Sequence, residues 1–134
     1  MDERSLKNLE GVHGDLVKVV HRALELSDTP FVVIEGLRTM MRQRELFAAG
    51  ASRTLRSRHL TGHAIDFVPL INGEVTWKWP PFAALAVVFK RAARELGVPI
   101  VWGGDWRLFR DGPHIELDRK VYPDKTLPAA KEAA

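Results

Sequence analysis

The chain has 134 residues, of which 46% are apolar and 28% charged, with a formal net charge of +3. That length suits one domain built on one core, and that balance excludes a disordered chain. Cysteine is absent, so disulfides and thiolate ligands are excluded and any metal must be held by His, Asp or Glu.

In chain order, Leu6, Leu9 and Val12 suit a short helix broken near Gly11 or Gly14. Leu16, Val19, Val20, Ala23 and Leu24 recur at helical spacing and predict an amphipathic helix from Asp15 to about Leu26. On this reading His13 and His21 lie on helix faces. Phe31 to Glu35 is β-branched and bounded by Asp28-Thr29-Pro30 and Gly36, which predicts a buried strand delivering Arg38 at its exit. Thr39 can cap a helix from Met40 to Ala49, ended by Gly50. Residues 51–60 lack periodicity and read as a loop.

His63 to Val68 alternates as a strand, with Ala64 and Asp66 on one face and Ile65 and Phe67 on the other. Asn72-Gly73 is a turn signal for a hairpin returning through Val75 to Trp79, with Trp77 and Trp79 packing on it. Pro80-Pro81 opens a helix whose stripe is Phe82, Leu85, Ala86, Phe89, Ala93 and Leu96, with Gly97 as its stop. Ile100 to Trp102 is a short strand, and Gly103-Gly104 permits a tight turn. Pro113 to Leu117 is the last strand and presents His114 and Glu116 on one face. From about residue 124 a frayed tail is expected, rich in Pro, Ala and Lys.

His59, Asp66 and the distant His114 can give one metal ion three protein ligands and leave a fourth position open, the layout of a catalytic zinc site. Asp66 shares a face with neither Ile65 nor Phe67, so chemistry and core take opposite sides of that strand. Residues as far apart as His59 and Asp66 cannot share a strand face in register, so a turn at Gly62 must fold one back on the other. Asp111, three residues before His114, is a candidate base, although Asp-Gly within Arg110-Asp111-Gly112-Pro113 would alone favour a turn. Glu116 can accept a hydrogen bond from a ligand imidazole. Asp105, Trp102 and Trp106 are candidates to shape a substrate groove. Arg53, Arg56, Arg58, Arg107 and Arg110 flank the site and would attract an anionic substrate.

The pattern S-x-H-x-x-G-x-A-x-D from Ser57 to Asp66, followed by Asp111-Gly112-Pro113-His114, resembles the zinc D-Ala-D-Ala carboxypeptidase and L-alanyl-D-glutamate peptidase family. A further block, Gly36-Leu37-Arg38 with Gln43, Leu46 and Gly50, stands in the right order, and the resemblance runs from roughly Val12 to Leu117. It implies an α+β fold shared with the Hedgehog signalling domain: a small antiparallel sheet carrying the zinc site, packed against helices. It also implies one zinc ion on His59, Asp66 and His114, with Asp111 as catalytic acid/base. Arg38 would bind the substrate near the scissile bond, and Ser57 would bond a substrate carbonyl or orient its loop; each could equally be an ordinary turn or loop residue if judged alone.

The expectation is therefore a single peptidase domain over 1–134, a zinc endolysin that hydrolyses the L-Ala–D-Glu bond of peptidoglycan stem peptides. The aspartate at position 111 favours this branch over D-Ala-D-Ala carboxypeptidase or dipeptidase activity. A non-catalytic wall-binding module is the alternative of another class. The start of the chain shows no basic region leading into an apolar core, and no run of roughly 18 apolar residues occurs. A phage-type enzyme made in the host cytoplasm and acting on the wall after release is expected, without membrane insertion. A monomer is expected, and nucleic-acid binding is not, since no motif or aromatic-interleaved basic stripe supports it.

Overall fold

A computed structural model describes residues 1–124. Beyond Asp124, the expected tail lies outside the described residues. Apolar spacing produces the two main helices. Helix α2 (Gly14–Leu26) buries Leu16, Val19, Val20 and Ala23. Helix α3 (Met40–Ala48) buries Gln43, and helix α4 (Trp79–Leu96) buries Phe82, Leu85, Ala86, Phe89, Ala92 and Ala93. Helices α2 and α4 pack together behind the sheet, where Phe89 lies 4.8 Å from Phe67 and 5.1 Å from Phe31 between ring centroids. Each of the Val, Leu and Phe side chains among them contributes about 1.5–3 kcal/mol when fully buried. Leu96 extends the predicted stripe but is exposed, and Ala92 takes its share of the buried face.

The sheet runs β1 (Phe31–Glu35), β2 (Ala64–Ile71), β5 (His114–Leu117), β4 (Ile100–Trp102) in spatial order, all antiparallel, with β3 (Glu74–Val75) pairing onto the far end of β2. Ile65, Phe67, Ile115 and Leu117 point into the core. The opposite face is therefore left to the polar residues that alternate with them. Asn72 and Gly73 both have positive φ, 54° and 81°, as a two-residue hairpin turn requires. The hairpin is shorter than expected and does not reach Trp79. Thr76 N–H still donates to Pro69 O, but Pro69 has no N–H to return, and the ladder stops there. Trp77 is consequently exposed, and Trp79 begins α4 with the two prolines in its first turn.

Helix α1 (Glu3–Asn8) is held by polar contacts that apolar periodicity does not reveal. Ser5 Oγ accepts from Val33 N–H at 2.9 Å, and Asn8 Nδ2 donates to Val33 O at 2.8 Å. These side chains satisfy the backbone of edge strand β1 where its register slips between Val33 and Glu35. His13 is not a helix-face residue. It is the N-cap of α2, where Nδ1 accepts from Asp15 N–H at 3.1 Å, whereas His21 is exposed on that helix.

Candidate metal centre

Strands β2 and β5 place Asp66 directly opposite His114 and Ala64 opposite Glu116, so all four side chains share the face turned away from the core. His59 comes from a 3₁₀ turn, Arg58–Thr61, capped by Ser57, whose Oγ accepts from His59 N–H at 3.2 Å. Gly62 then reverses the chain into β2 with φ of 74°. A Cβ there would stand 2.4 Å from Gly11 O, so both the backbone angle and the space require glycine. His59 is thereby folded back onto Asp66, as the spacing demanded.

His59 Nε2 lies 3.2 Å and His114 Nδ1 3.5 Å from the same oxygen, Asp66 Oδ1. Ligands about 2.0–2.1 Å from a tetrahedral zinc stand about 3.3 Å apart, so these separations fit such an ion. The outer nitrogen of each ring is already engaged. His59 Nδ1 is 2.8 Å from Gly36 O, which can only accept, so that nitrogen carries hydrogen and Nε2 is turned inward. His114 Nε2 lies 2.8 Å from Glu116 Oε1, which leaves Nδ1 facing Asp66. This is the way a metal-ligating imidazole is normally oriented. His59, Asp66 and His114 could hold a metal ion together, all their ligand atoms lying within 4.8 Å of one another.

The charges of the group support one another. Burial pushes the Asp66 carboxyl up, but hydrogen bonds from His114 and His59 outweigh it and hold the group below the usual carboxylate range. Burial pushes His114 down, yet its bonds to Asp66 and Glu116 raise it to about 9. Asp111 is raised, first by burial and then by the negative charge of Asp66, which makes it a better proton acceptor than an ordinary aspartate. Its closeness to His114 depends on Gly103, where a Cβ would meet Asp111 O at 2.4 Å and His114 Cβ at 2.9 Å. The Gly103-Gly104 pair was visible in the sequence, but only as a turn.

These groups line a cleft of about 730 Å³, along with Arg38, Ser57 and Trp106. Trp106 stands 4.9 Å from the His114 ring between centroids. Arg38 is fixed on several sides: it bonds Glu35, its Nη1 donates to Gln43 Oε1 at 2.7 Å and to Ser57 Oγ at 3.5 Å, and its Nη2 lies 3.9 Å from Asp66 Oδ2. Glu35 and Gln43 thus belong to the site, Gln43 buried and bonded also to the 51–57 loop. The family-like block contains Gln43, but nothing in the sequence gave it that task.

Four expectations near the site need correction. Arg58 is not on the basic rim: it is buried, donating to Leu117 O at 2.9 Å and Tyr122 O at 2.7 Å and pairing with Asp124. Trp102 is buried with its indole N–H on Gly112 O at 2.7 Å, supporting the cleft from beneath and not lining it. Asp105 turns outward to Lys90, at 2.6 Å. Trp77, expected to pack on the hairpin, lines the cleft instead. His63 is off the three-ligand group, with Nδ1 at 2.6 Å from Thr61 Oγ1.

The chain matches the family described as phage L-alanyl-D-glutamate peptidase over residues 1–124. It is 39% identical over 124 residues to the L-alanyl-D-glutamate peptidase of Escherichia phage T5, covering 90% of each chain. Among solved structures it is similar to the Serratia marcescens L-Ala D-Glu endopeptidase ChiX, with TM-score 0.87, 54% identity and 92% of each chain covered. The vancomycin-resistance D,D-dipeptidase VanXYg is related at TM-score 0.52 and 18% identity, over 79% of this chain and 50% of that one, a likeness of fold alone.

Proposed function

Because the chain belongs to the phage L-alanyl-D-glutamate peptidase family, we propose that it is a zinc metallopeptidase hydrolysing the L-Ala–D-Glu bond of peptidoglycan stem peptides, as a phage endolysin. The observation that carries the metal chemistry is the convergence of His59 Nε2, Asp66 Oδ1 and His114 Nδ1 at the floor of a cleft that also holds Asp111. An N,O,N donor set with no thiolate suits zinc. Bound there, a zinc ion supplies Lewis acidity, polarising a carbonyl and making water acidic enough to attack near neutral pH.

The chain's own residues do the rest. Asp111, raised above an ordinary aspartate, takes a proton from the attacking water and returns it to the leaving amine. Arg38 is held rigidly by Glu35 and Gln43 and brings fixed positive charge beside Asp66, where the tetrahedral oxyanion would develop. Ser57 anchors Arg38 and caps the turn carrying His59. Trp106 offers an apolar wall to the substrate. We further propose that the protein works as a single-domain monomer at the wall, lysing the host without nucleic acid or membrane insertion.

The test is digestion of purified peptidoglycan by the zinc-loaded protein, followed by mass analysis of the new ends. New L-Ala C-termini and D-Glu N-termini are expected, and loss of terminal D-Ala would instead select the dipeptidase reading. Asp111→Asn is expected to keep fold and zinc content while losing on the order of 10²- to 10⁴-fold in rate. Turnover equal to the parent by a zinc-loaded variant would remove Asp111 from the mechanism.

A further inference from the structure

At the mouth of the cleft stand three exposed arginines, Arg53, Arg56 and Arg110, with no carboxylate at ion-pair distance among the described residues. Of the acids lining the cleft, Glu35 is engaged with Arg38, Asp66 with the two imidazoles and Glu116 with His114, while Asp111 is the group assigned to proton transfer and makes no ion pair with the three arginines. Two of the three guanidinium groups are nonetheless fixed in place. Arg53 lies 4.0 Å over the Phe109 ring, and Arg110 lies 4.2 Å over Trp79 while its Nε donates to Gly104 O at 3.2 Å. An arginine held by an aromatic face is oriented without being neutralised, and its remaining in-plane N–H groups stay available to a carboxylate.

The backbone points the same way. Phe109 has φ of 55°, a left-handed conformation that is a rare outlier for a bulky residue, and it is 59% exposed, so burial does not repay the strain. Strain of this kind gathers at ligand-binding positions. Here it sets Phe109 under Arg53 and thereby joins the 51–57 loop to the 107–110 loop across the cleft. Arg110 adjoins Asp111 and Arg56 adjoins Ser57, so these charges flank the groups assigned to catalysis.

A glutamyl residue has two carboxyl groups and can use only one to continue a peptide. The residue on the leaving side of an Ala–Glu bond therefore carries a free carboxylate within a few bonds of the scissile nitrogen. If that carboxylate is amidated, its charge is gone while its size hardly changes. We propose that Arg53, Arg56 and Arg110 form a carboxylate subsite for the glutamyl residue, so that the enzyme selects acidic stem peptides over their amidated counterparts. The inference rests on the Ala–Glu reading of the scissile bond. A charge-assisted, two-pronged contact is the strong form of this interaction, and its loss is worth roughly tenfold or more in binding.

The experiment uses the zinc-loaded protein and two synthetic stem peptides that differ only in whether the free glutamyl carboxylate is an acid or an amide. The acid is expected to have a kcat/KM about tenfold higher, expressed in KM. Arg53→Gln and Arg110→Gln should bring the acid down toward the amide, so that the ratio of the two kcat/KM values falls toward one. Arg110→Lys, which keeps charge but loses the planar fork, should restore only part of the preference. Equal kcat/KM for the two peptides in the parent, or variants that slow both peptides alike, would overturn the subsite. Absence of Ala–Glu cleavage in both peptides, with another bond cut, would instead overturn the reading on which it rests.

Discussion

At the residue scale, the two histidines differ less in position than in what stands behind them. A backbone carbonyl, Gly36 O, orients His59, whereas a carboxylate, Glu116, orients His114. A charged acceptor makes the ring more basic and a better ligand, so Glu116→Gln should weaken zinc binding by about 10-fold, near the low end for outer partners of a metal site. Competition against a chromogenic chelator measures this, and an unchanged affinity would show that Glu116 serves only packing. A second consequence concerns pH. His114 is raised to about 9 in the metal-free protein, so near neutrality its Nδ1 carries a proton that any metal must displace. Zinc affinity should therefore rise about tenfold per pH unit between pH 6 and 8 from this proton alone, and flatten above about 9. Calorimetry in buffers of different ionisation enthalpy would count the proton released.

At the element scale, the site depends on close approaches between chain segments as much as on side chains. The second of the 3₁₀ turns, Gly103–Asp105, presses against the segment carrying Asp111 and His114, and Gly103 O also accepts from Asp111 N–H at 3.0 Å. Gly103→Ala would place a methyl group 2.4 Å from Asp111 O, so the segment must shift. Catalytic groups tolerate little displacement, and a misplacement of about 1 Å can cost roughly 10²-fold in rate. The expected outcome is a variant whose helices still melt cooperatively by circular dichroism but whose kcat falls by about that factor. A variant with the parent's kcat would mean that the loop accommodates the methyl elsewhere. The same scale explains the shortened hairpin: Asn72-Gly73 specified the turn correctly, but Pro69 ended the ladder that the turn began.

For the whole molecule, Arg58 links the metal face to the end of the described chain. Its side chain is wholly buried, donates to carbonyls of Leu117 and Tyr122, and pairs with Asp124, while its unbonded Nε stands 3.7 Å from Glu116 Oε2. Removing it would strand several acceptors in the interior, so Arg58→Met should destabilise the protein by about 3 kcal/mol, readable as a lower urea midpoint. A midpoint within error of the parent would show that the segment from Asp118 to Asp124 is not fastened by this residue. Local periodicity was enough to determine the two main helices and most strands, because amphipathic spacing is a property of short stretches of chain. The α+β architecture, and His59, Asp66 and His114 as candidate ligands, were legible through the resemblance carried by the Ser57–Asp66 and Asp111–His114 blocks. Only the tertiary structure decided that Arg58 and Trp102 lie inside while Trp77 faces the cleft, that Arg38 is pinned by Gln43, and which nitrogen of each histidine faces Asp66. Those outcomes depend on partners such as Gly36, Gly112 and Tyr122, brought close by strand register and helix packing, and register is a relation between distant segments that neither segment carries alone.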